Sequence, residues 1–259
     1  MNFEKGKIIS VIKDCENEKK RSKKKDNKFL YVDDKANNSI DSYECDYNET
    51  IQQIPDKETE RSILYITGPS GSGKSYYTRN YILEYKKLFP KNNVYIFSSL
   101  DSDETLDKIP KIKRIKFTDK FNSFDFKITD FKDSLVIFDD VDAETNKFKK
   151  KKIFDILSMI LNTGRHERCS CVFTSHLSCA GNETKLILSE CHSITIFVKN
   201  MGNRSLKYLL DSYFGLDKHQ INYIKKINSR WVSLIKTYPS VLISEKQAIV
   251  LNTITKKDD

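Results

Sequence analysis

The stretch that decides the fold is "SILYITGPSGSGKSYYTRNYI", residues 62–82. An apolar, β-branched run, 62–67, leads into a loop rich in glycine and serine, and apolar residues at helical spacing follow until Pro90. Gly68, four intervening residues and then Gly73-Lys74-Ser75 match the spacing of a phosphate-binding loop. Because the motif requires a strand before it and a helix after it, and both patterns are present, the stretch predicts a nucleotide site rather than an ordinary turn.

A P-loop holds phosphate through its backbone, so its glycines have a specific purpose. They let N–H groups turn towards phosphate oxygens, and the first turn of the helix adds its dipole. Lys74 is expected to contact the β- and γ-phosphates, and Ser75 is expected to bind Mg²⁺ through its hydroxyl. The predicted ligands are thus ATP, as argued below, and Mg²⁺. The predicted phosphate-binding residues are Gly68, Pro69, Ser70, Gly71, Ser72, Gly73, Lys74 and Ser75.

A second motif, "LVIFDD" at 135–140, is an apolar strand that ends in two carboxylates. Asp139 fits the Walker B role of holding Mg²⁺, and a carboxylate directly after it is typical of enzymes that polarise water for hydrolysis. Asp140 takes that catalytic position. Most such enzymes carry Glu there, and Asp reaches less far, so the alternative is that Asp140 caps the next segment.

The choice of nucleotide rests on which other motifs the chain carries. A nucleotide kinase would add an arginine-rich lid and would not need the paired aspartates. A Ras-like GTPase would need a base-reading N/TKxD motif, and "TKKD" at 255–258 follows no convincing strand. ATP is therefore favoured over GTP, and the chain is predicted to be an ATPase.

The strand "CSCVFTS" at 169–175 is expected to end beside the γ-phosphate. Ser175 and His176 are the candidates to sense that phosphate or orient water, and an ordinary loop histidine is the alternative for His176. Just before the strand, Arg165 follows the helix-ending Gly164. Arg165 is predicted either to act as a finger on the nucleotide of a neighbouring subunit or to serve as a cation at the end of its own helix.

Length and composition place these motifs in one sizeable core with small additions. Strands alternate with helical segments, which predicts an α/β fold with a mostly parallel sheet flanked by helices. The predicted segments are a polar N-terminal part at 1–60 with a possible small β element, an ATPase core at 61–200, and a helical and β-hairpin extension at 201–259. No apolar run nears 18 residues and no signal peptide is evident, so we expect a soluble, intracellular protein without a membrane partner.

The cysteines and the charge bear on partners. Six cysteines without a CxxC pair favour reduced thiols over structural zinc. Residues 1–60 carry 12 basic against 14 acidic side chains, so the net charge of +9 leaves +11 on the remainder. This excess favours an acidic partner such as nucleic acid, with a general lysine-rich composition as the alternative. The lysines after the Walker B strand are either DNA contacts or a solvated helix turn, and they are Lys147, Lys149, Lys150, Lys151 and Lys152.

Together, "GPSGSGKS", "LVIFDDV" and "GRH" before the next strand resemble the genome-packaging ATPases of large nucleocytoplasmic DNA viruses, of the FtsK-HerA superfamily. The resemblance covers about 61–200. It implies a RecA-like P-loop core, a homo-oligomeric ring, double-stranded DNA as cargo, a capsid protein as partner, and a place in the virus factory or virion. Family members commonly end the strand after GRH with Gln, where this chain has "TSH" at 174–176.

The sequence therefore predicts an ATP-hydrolysing motor that translocates double-stranded DNA in viral genome packaging. Two alternatives remain at this point. One is a paralogous, helicase-like P-loop ATPase with a different cargo. The other is a nucleotide-gated DNA-binding module with weak turnover, in which Asp140 and the altered strand end do not support full hydrolysis.

Overall fold

The structure is a computed structural model, and its contacts divide the chain into two compact units. One unit is Thr59–Cys191, and the other joins Met1–Glu58 to His192–Asp259. The sequence analysis predicts separate segments for the two chain ends, 1–60 and 201–259. In the structure, Met1–Glu58 and His192–Asp259 belong to the same compact unit. The structure describes residues 1–14, 27–33, 35, 39–59, 61–100, 102–179 and 181–255. Cys15 and most of the "TKKD" stretch lie outside the described residues.

The regular elements follow one another along the chain as strands and helices. In chain order the strands are β1 Lys7–Asp14, β2 Lys28–Val32, β3 Ser42–Glu44, β4 Glu49–Gln53, β5 Ile63–Thr67, β6 Asn93–Ser98, β7 Ile112–Lys116, β8 Ser134–Asp139, β9 Ser170–Ser175, β10 Ser193–Ile196, β11 Val232–Ile235, β12 Val241–Ser244 and β13 Gln247–Val250. The helices are α1 Lys74–Leu88, α2 Lys147–Thr163, α3 Asn182–Glu190, α4 Asn203–Phe214 and α5 Lys218–Lys226.

The unit Thr59–Cys191 contains a parallel sheet in the order β5-β9-β8-β6-β7. Every residue of β5, β8 and β9 is buried, which explains why these strands read as unbroken apolar runs: both sheet faces are covered. β7 at the edge buries none of its residues fully. The predicted fold class, an α/β core with a mostly parallel sheet flanked by helices, is confirmed.

Helix α2 illustrates how local sequence sets the ends of an element. It begins because the Asn146 side chain accepts hydrogen bonds from the backbone N–H groups of Phe148 and Lys149. It ends at Gly164, where a Cβ atom would collide with the carbonyl oxygen of Ile160. Arg61 secures this end, since its guanidinium donates to the carbonyl oxygens of Ile160 and Leu161, both at 2.9 Å. A cation at a helix C-terminus also complements the helix dipole.

The second unit is built from antiparallel strands. β2-β1-β4 form a three-stranded sheet, and β3, β13, β12, β11 and β10 pair in that order. The predicted N-terminal β element and the two C-terminal helices are present, whereas β3, β4, β13 and α3 were not predicted. Among the described residues, no helix is both long and apolar enough to cross a bilayer. The described cysteines are all free thiols.

Candidate nucleotide site

The three sequence motifs meet at one edge of the parallel sheet. The P-loop follows β5, Asp139 ends β8 with Asp140 directly after it, and His176 follows β9. The strands run in the same direction and in register, with Thr67 beside Ser175 and Phe138 beside Phe173. Their carboxyl ends therefore lie together, which is where open α/β sheets bind their ligands.

The loop itself has the backbone of a phosphate cradle. Gly71 and Gly73 have φ angles of 73° and 110°, in the left-handed region that favours glycine. Gly73 occupies the N-cap of α1 and offers no side chain to cap the helix, so the N–H groups of the first turn point into the loop uncapped. The hydroxyl of Ser72 is buried without a hydrogen-bond partner. This unsatisfied group and the uncapped N–H groups fit an anion with several oxygens.

Lys74 lies at the centre of the cluster and is 6% exposed. Its ammonium donates to the carbonyl oxygens of Gly68 at 3.0 Å and Pro69 at 3.4 Å. It also lies 3.2 Å from Nδ1 of His176 and 3.7 Å from Oδ1 of Asp140. The lysine thus folds back onto its own loop and onto the ends of β8 and β9.

Asp139 is a buried carboxylate, 3% exposed. Burial, and then the neighbouring charge of Asp140, raise the pKa of Asp139 to about 6, while a hydrogen bond from Thr174 opposes the rise. A carboxylate in this position gains from a nearby cation. No cluster of three His, Cys, Asp or Glu side chains that would hold a metal unaided occurs in the described part of the chain. Mg²⁺ does not need such a cluster, because it keeps waters and substrate phosphates among its ligands.

Asp140 is fixed at every polar atom. Its φ of 47° is left-handed, and its backbone N–H donates to the Thr174 hydroxyl at 2.9 Å. Oδ1 lies 3.1 Å from that hydroxyl and Oδ2 lies 2.9 Å from Nε2 of His176. Asp140 stands at the N-cap of a 3-10 turn, Val141–Ala143, but its side chain makes no capping hydrogen bond. The geometry gives no support to the alternative of a simple cap.

The two residues expected to sense the phosphate differ in their surroundings. Ser175 is fully buried, and its hydroxyl contacts Oδ2 of Asp142 at 2.6 Å and the carbonyl oxygen of Leu177 at 2.8 Å. It therefore holds the loop after β9. His176 instead bridges Lys74 and Asp140, and 36% of its side chain remains exposed.

Sequence reasoning missed Thr174, whose hydroxyl lies 3.1 Å from Oδ1 of both Asp139 and Asp140. The register pairs Phe138 with Phe173, so the next residue of each strand stands side by side at the sheet edge. The pairing of the two strands could have identified Thr174 from the sequence, because the residue after Phe173 lies beside the residue after Phe138, which is the first of the paired aspartates.

Arg165 lies apart from the cluster. It is exposed in the turn that precedes β9, at the amino ends of the strands, so the length of a six-residue strand separates it from the P-loop of its own chain. That length is about 20 Å. Arg165 cannot reach this chain's own nucleotide site.

Three of the five lysines in the run contact their own chain. Lys149 donates to Phe117 O at 2.7 Å and Lys150 to Asp142 O at 3.0 Å. Lys152 donates to Asn122 O at 2.9 Å and stacks over the rings of Phe121 and Phe126. Lys147 and Lys151 are exposed. Backbone carbonyl oxygens of this chain thus accept hydrogen bonds from three of the five ammonium groups at the start of α2.

No family model matches the sequence. The chain is 42% identical over 194 residues to "Uncharacterized protein V3" of Sputnik virophage, which covers 74% of this chain and 78% of that protein. The chain belongs to the same family as this virophage protein.

Among solved structures, the chain is similar to the genome packaging NTPase B204 from Sulfolobus turreted icosahedral virus 2, in complex with ATP-gammaS. The TM-score is 0.48 and the identity 12%, over 72% of this chain and 97% of that one. It is also similar to the pCW3 conjugation coupling protein TcpA, with a TM-score of 0.47 and 12% identity, over 87% of this chain and 73% of that one.

Proposed function

We propose that the chain is an ATPase that uses hydrolysis to move double-stranded DNA in viral genome packaging. The observation that supports the ATPase part is the convergence of Lys74, Asp139 and Asp140 at the carboxyl edge of the sheet. Lys74 directly follows a glycine-rich loop in which the Ser72 hydroxyl is buried without a hydrogen-bond partner, and Asp139 is a buried carboxylate. This arrangement suits a polyphosphate with a divalent metal.

Each residue then has a defined part. The backbone of 68–75 holds the phosphates, and Lys74 leaves its present carbonyl acceptors for phosphate oxygens. Ser75 and Asp139 would hold Mg²⁺, which neutralises charge that develops on the phosphates. Asp140 and His176 would orient the attacking water, and Thr174, whose hydroxyl contacts both aspartates, would keep them in place.

Assembly and cargo belong to the same proposal. Because Arg165 lies at the opposite edge of the sheet, its action on a γ-phosphate requires a second subunit, as in a homo-oligomeric ring. The net charge of +11 outside residues 1–60 and the exposed Lys147 and Lys151 support contact with DNA phosphates. A capsid protein partner and a place in the virus factory or virion complete the proposal.

DNA-stimulated ATP hydrolysis by the assembled protein tests this function. Lys74→Ala should abolish hydrolysis, whereas full-rate hydrolysis by that variant contradicts the site assignment. Mixing Arg165→Ala subunits with Lys74→Ala subunits should restore part of the activity if the arginine acts between subunits. Nucleotide-dependent DNA binding without turnover would instead indicate the gated binding module, and turnover coupled to strand separation would indicate the helicase-like motor.

A further inference from the structure

We infer that His176 accepts the proton of the attacking water, that Asp140 orients its ring, and that Lys74 blocks it until phosphate arrives. This inference rests on the proposed ATPase function and deepens it. It concerns three side chains in direct contact: the Lys74 ammonium 3.2 Å from Nδ1 of His176, and Oδ2 of Asp140 2.9 Å from Nε2.

The two contacts fix the tautomer of the imidazole. A lysine ammonium carries only donors, so Nδ1 of His176 accepts. The proton of the neutral ring then lies on Nε2 and is donated to the Asp140 carboxylate. A carboxylate that holds one ring nitrogen and leaves the other as a base is the arrangement by which proteins orient a histidine general base.

Asp140 itself is poorly placed to accept the proton. Its Oδ1 contacts the Thr174 hydroxyl and faces Lys74, and its Oδ2 is engaged by His176. Its side chain is 24% exposed, whereas that of His176 is 36% exposed. The histidine therefore extends the reach of a short carboxylate towards the open side of the cluster.

Lys74 couples the basicity of His176 to the binding of nucleotide. In this structure its ammonium donates hydrogen bonds to the carbonyl oxygens of Gly68 and Pro69 and to Nδ1 of His176. Phosphate oxygens carry negative charge and accept more strongly than these neutral groups. When Lys74 turns to phosphate, Nδ1 loses its donor and becomes free to accept a proton.

The chemical step is balanced with these groups. The water oxygen forms a bond to the γ-phosphorus, and the bond from that phosphorus to the bridging oxygen breaks with its electron pair leaving on ADP. One water proton passes to Nδ1 of His176. The resulting imidazolium is stabilised by the Asp140 carboxylate, and the proton later leaves to phosphate or solvent.

The tautomer is tested without turnover by ¹⁵N spectra of the imidazole nitrogens. The chain has four histidines, and His176→Gln assigns the signal of interest. In nucleotide-free protein, His176 should carry its proton on Nε2. Either Lys74→Ala or a non-hydrolysable ATP analogue should shift the Nδ1 signal, because both remove its donor. A proton on Nδ1 in the nucleotide-free protein overturns the inference.

The catalytic role is tested by chemical rescue. His176→Gly should lower turnover by about 10²–10⁴-fold with nucleotide affinity retained, and added imidazole should restore part of it. His166→Gly, in an exposed turn, serves as the matched control. Its turnover should equal that of the wild type and should not change when imidazole is added. Unchanged turnover in His176→Gly refutes the role, as does a loss that imidazole leaves untouched. If the wild type does not hydrolyse ATP, the ATPase proposal and the proton-acceptor role both fail, while the spectra still report whether nucleotide releases Lys74 from His176.

Discussion

Replacing the buried Asp139 with Asn should make the metal-free protein more stable while removing its hydrolysis. The pKa of this carboxyl is about 6 in the folded chain, against 3.8 for an unperturbed aspartate. A pKa that is raised on folding contributes stability that is present below the unfolded value and is lost as the pH rises through the folded value. The difference of about two pKa units corresponds to about 3 kcal/mol of lost stability above pH 7.

Urea denaturation in EDTA at several pH values between 5 and 8 measures this effect. The gain of Asp139→Asn over the wild type should rise with pH, with roughly half of it present at pH 5, and should level off above pH 7. Asp133→Asn is an opposite-sign control, because Arg168 lowers the pKa of Asp133. That variant should lose stability at neutral pH, and its deficit should shrink as the pH falls. A gain for Asp139→Asn that stays constant with pH, or a less stable variant at pH 8, refutes the raised pKa of this buried carboxylate.

Three further outcomes are expected from the surroundings of particular side chains. Thr174→Val should slow turnover by roughly 10–100-fold with nucleotide binding retained, since the lost hydroxyl orients Asp139 and lowers its pKa; unchanged kcat argues against that role. Lys147→Gln with Lys151→Gln should reduce the salt slope of DNA binding by about 2, and an unchanged slope excludes both as phosphate contacts. Arg61→Met should lower the free energy of unfolding by roughly 3 kcal/mol, because carbonyls at the end of α2 lose a charged donor; an unshifted urea midpoint contradicts this.

The sequence predicted the parallel sheet and its P-loop because the physical signals there are local. Buried parallel strands are continuous apolar runs, and β5, β8 and β9 are buried at every residue. β3 and β4 were missed for the converse reason. They are short, "SYE" and "ETIQQ", and their pairing partners lie far away in the chain, so no local pattern marks them.

Contacts that depend on tertiary structure were also beyond the sequence. The lysine run suggested an external anion, but the acceptors of Lys149 and Lys152 are carbonyls 28–32 residues earlier in the chain. No spacing rule places those carbonyls beside α2. Asp140 and His176 are a similar case. The sequence identifies each residue separately, but only the structure shows that their side chains are in contact at the carboxyl ends of the strands.

That contact leads to a last prediction about Asp140 and His176. If Asp140 orients His176, the two side chains form one functional unit. Asp140→Glu pushes its carboxylate into the imidazole, and His176→Gln removes the base, so each change alone should slow hydrolysis. In the double variant, the longer Glu reaches the water itself, so its turnover should exceed the product of the two single effects. A double-mutant cycle on kcat measures this coupling, and simple additivity would show that the two side chains act independently.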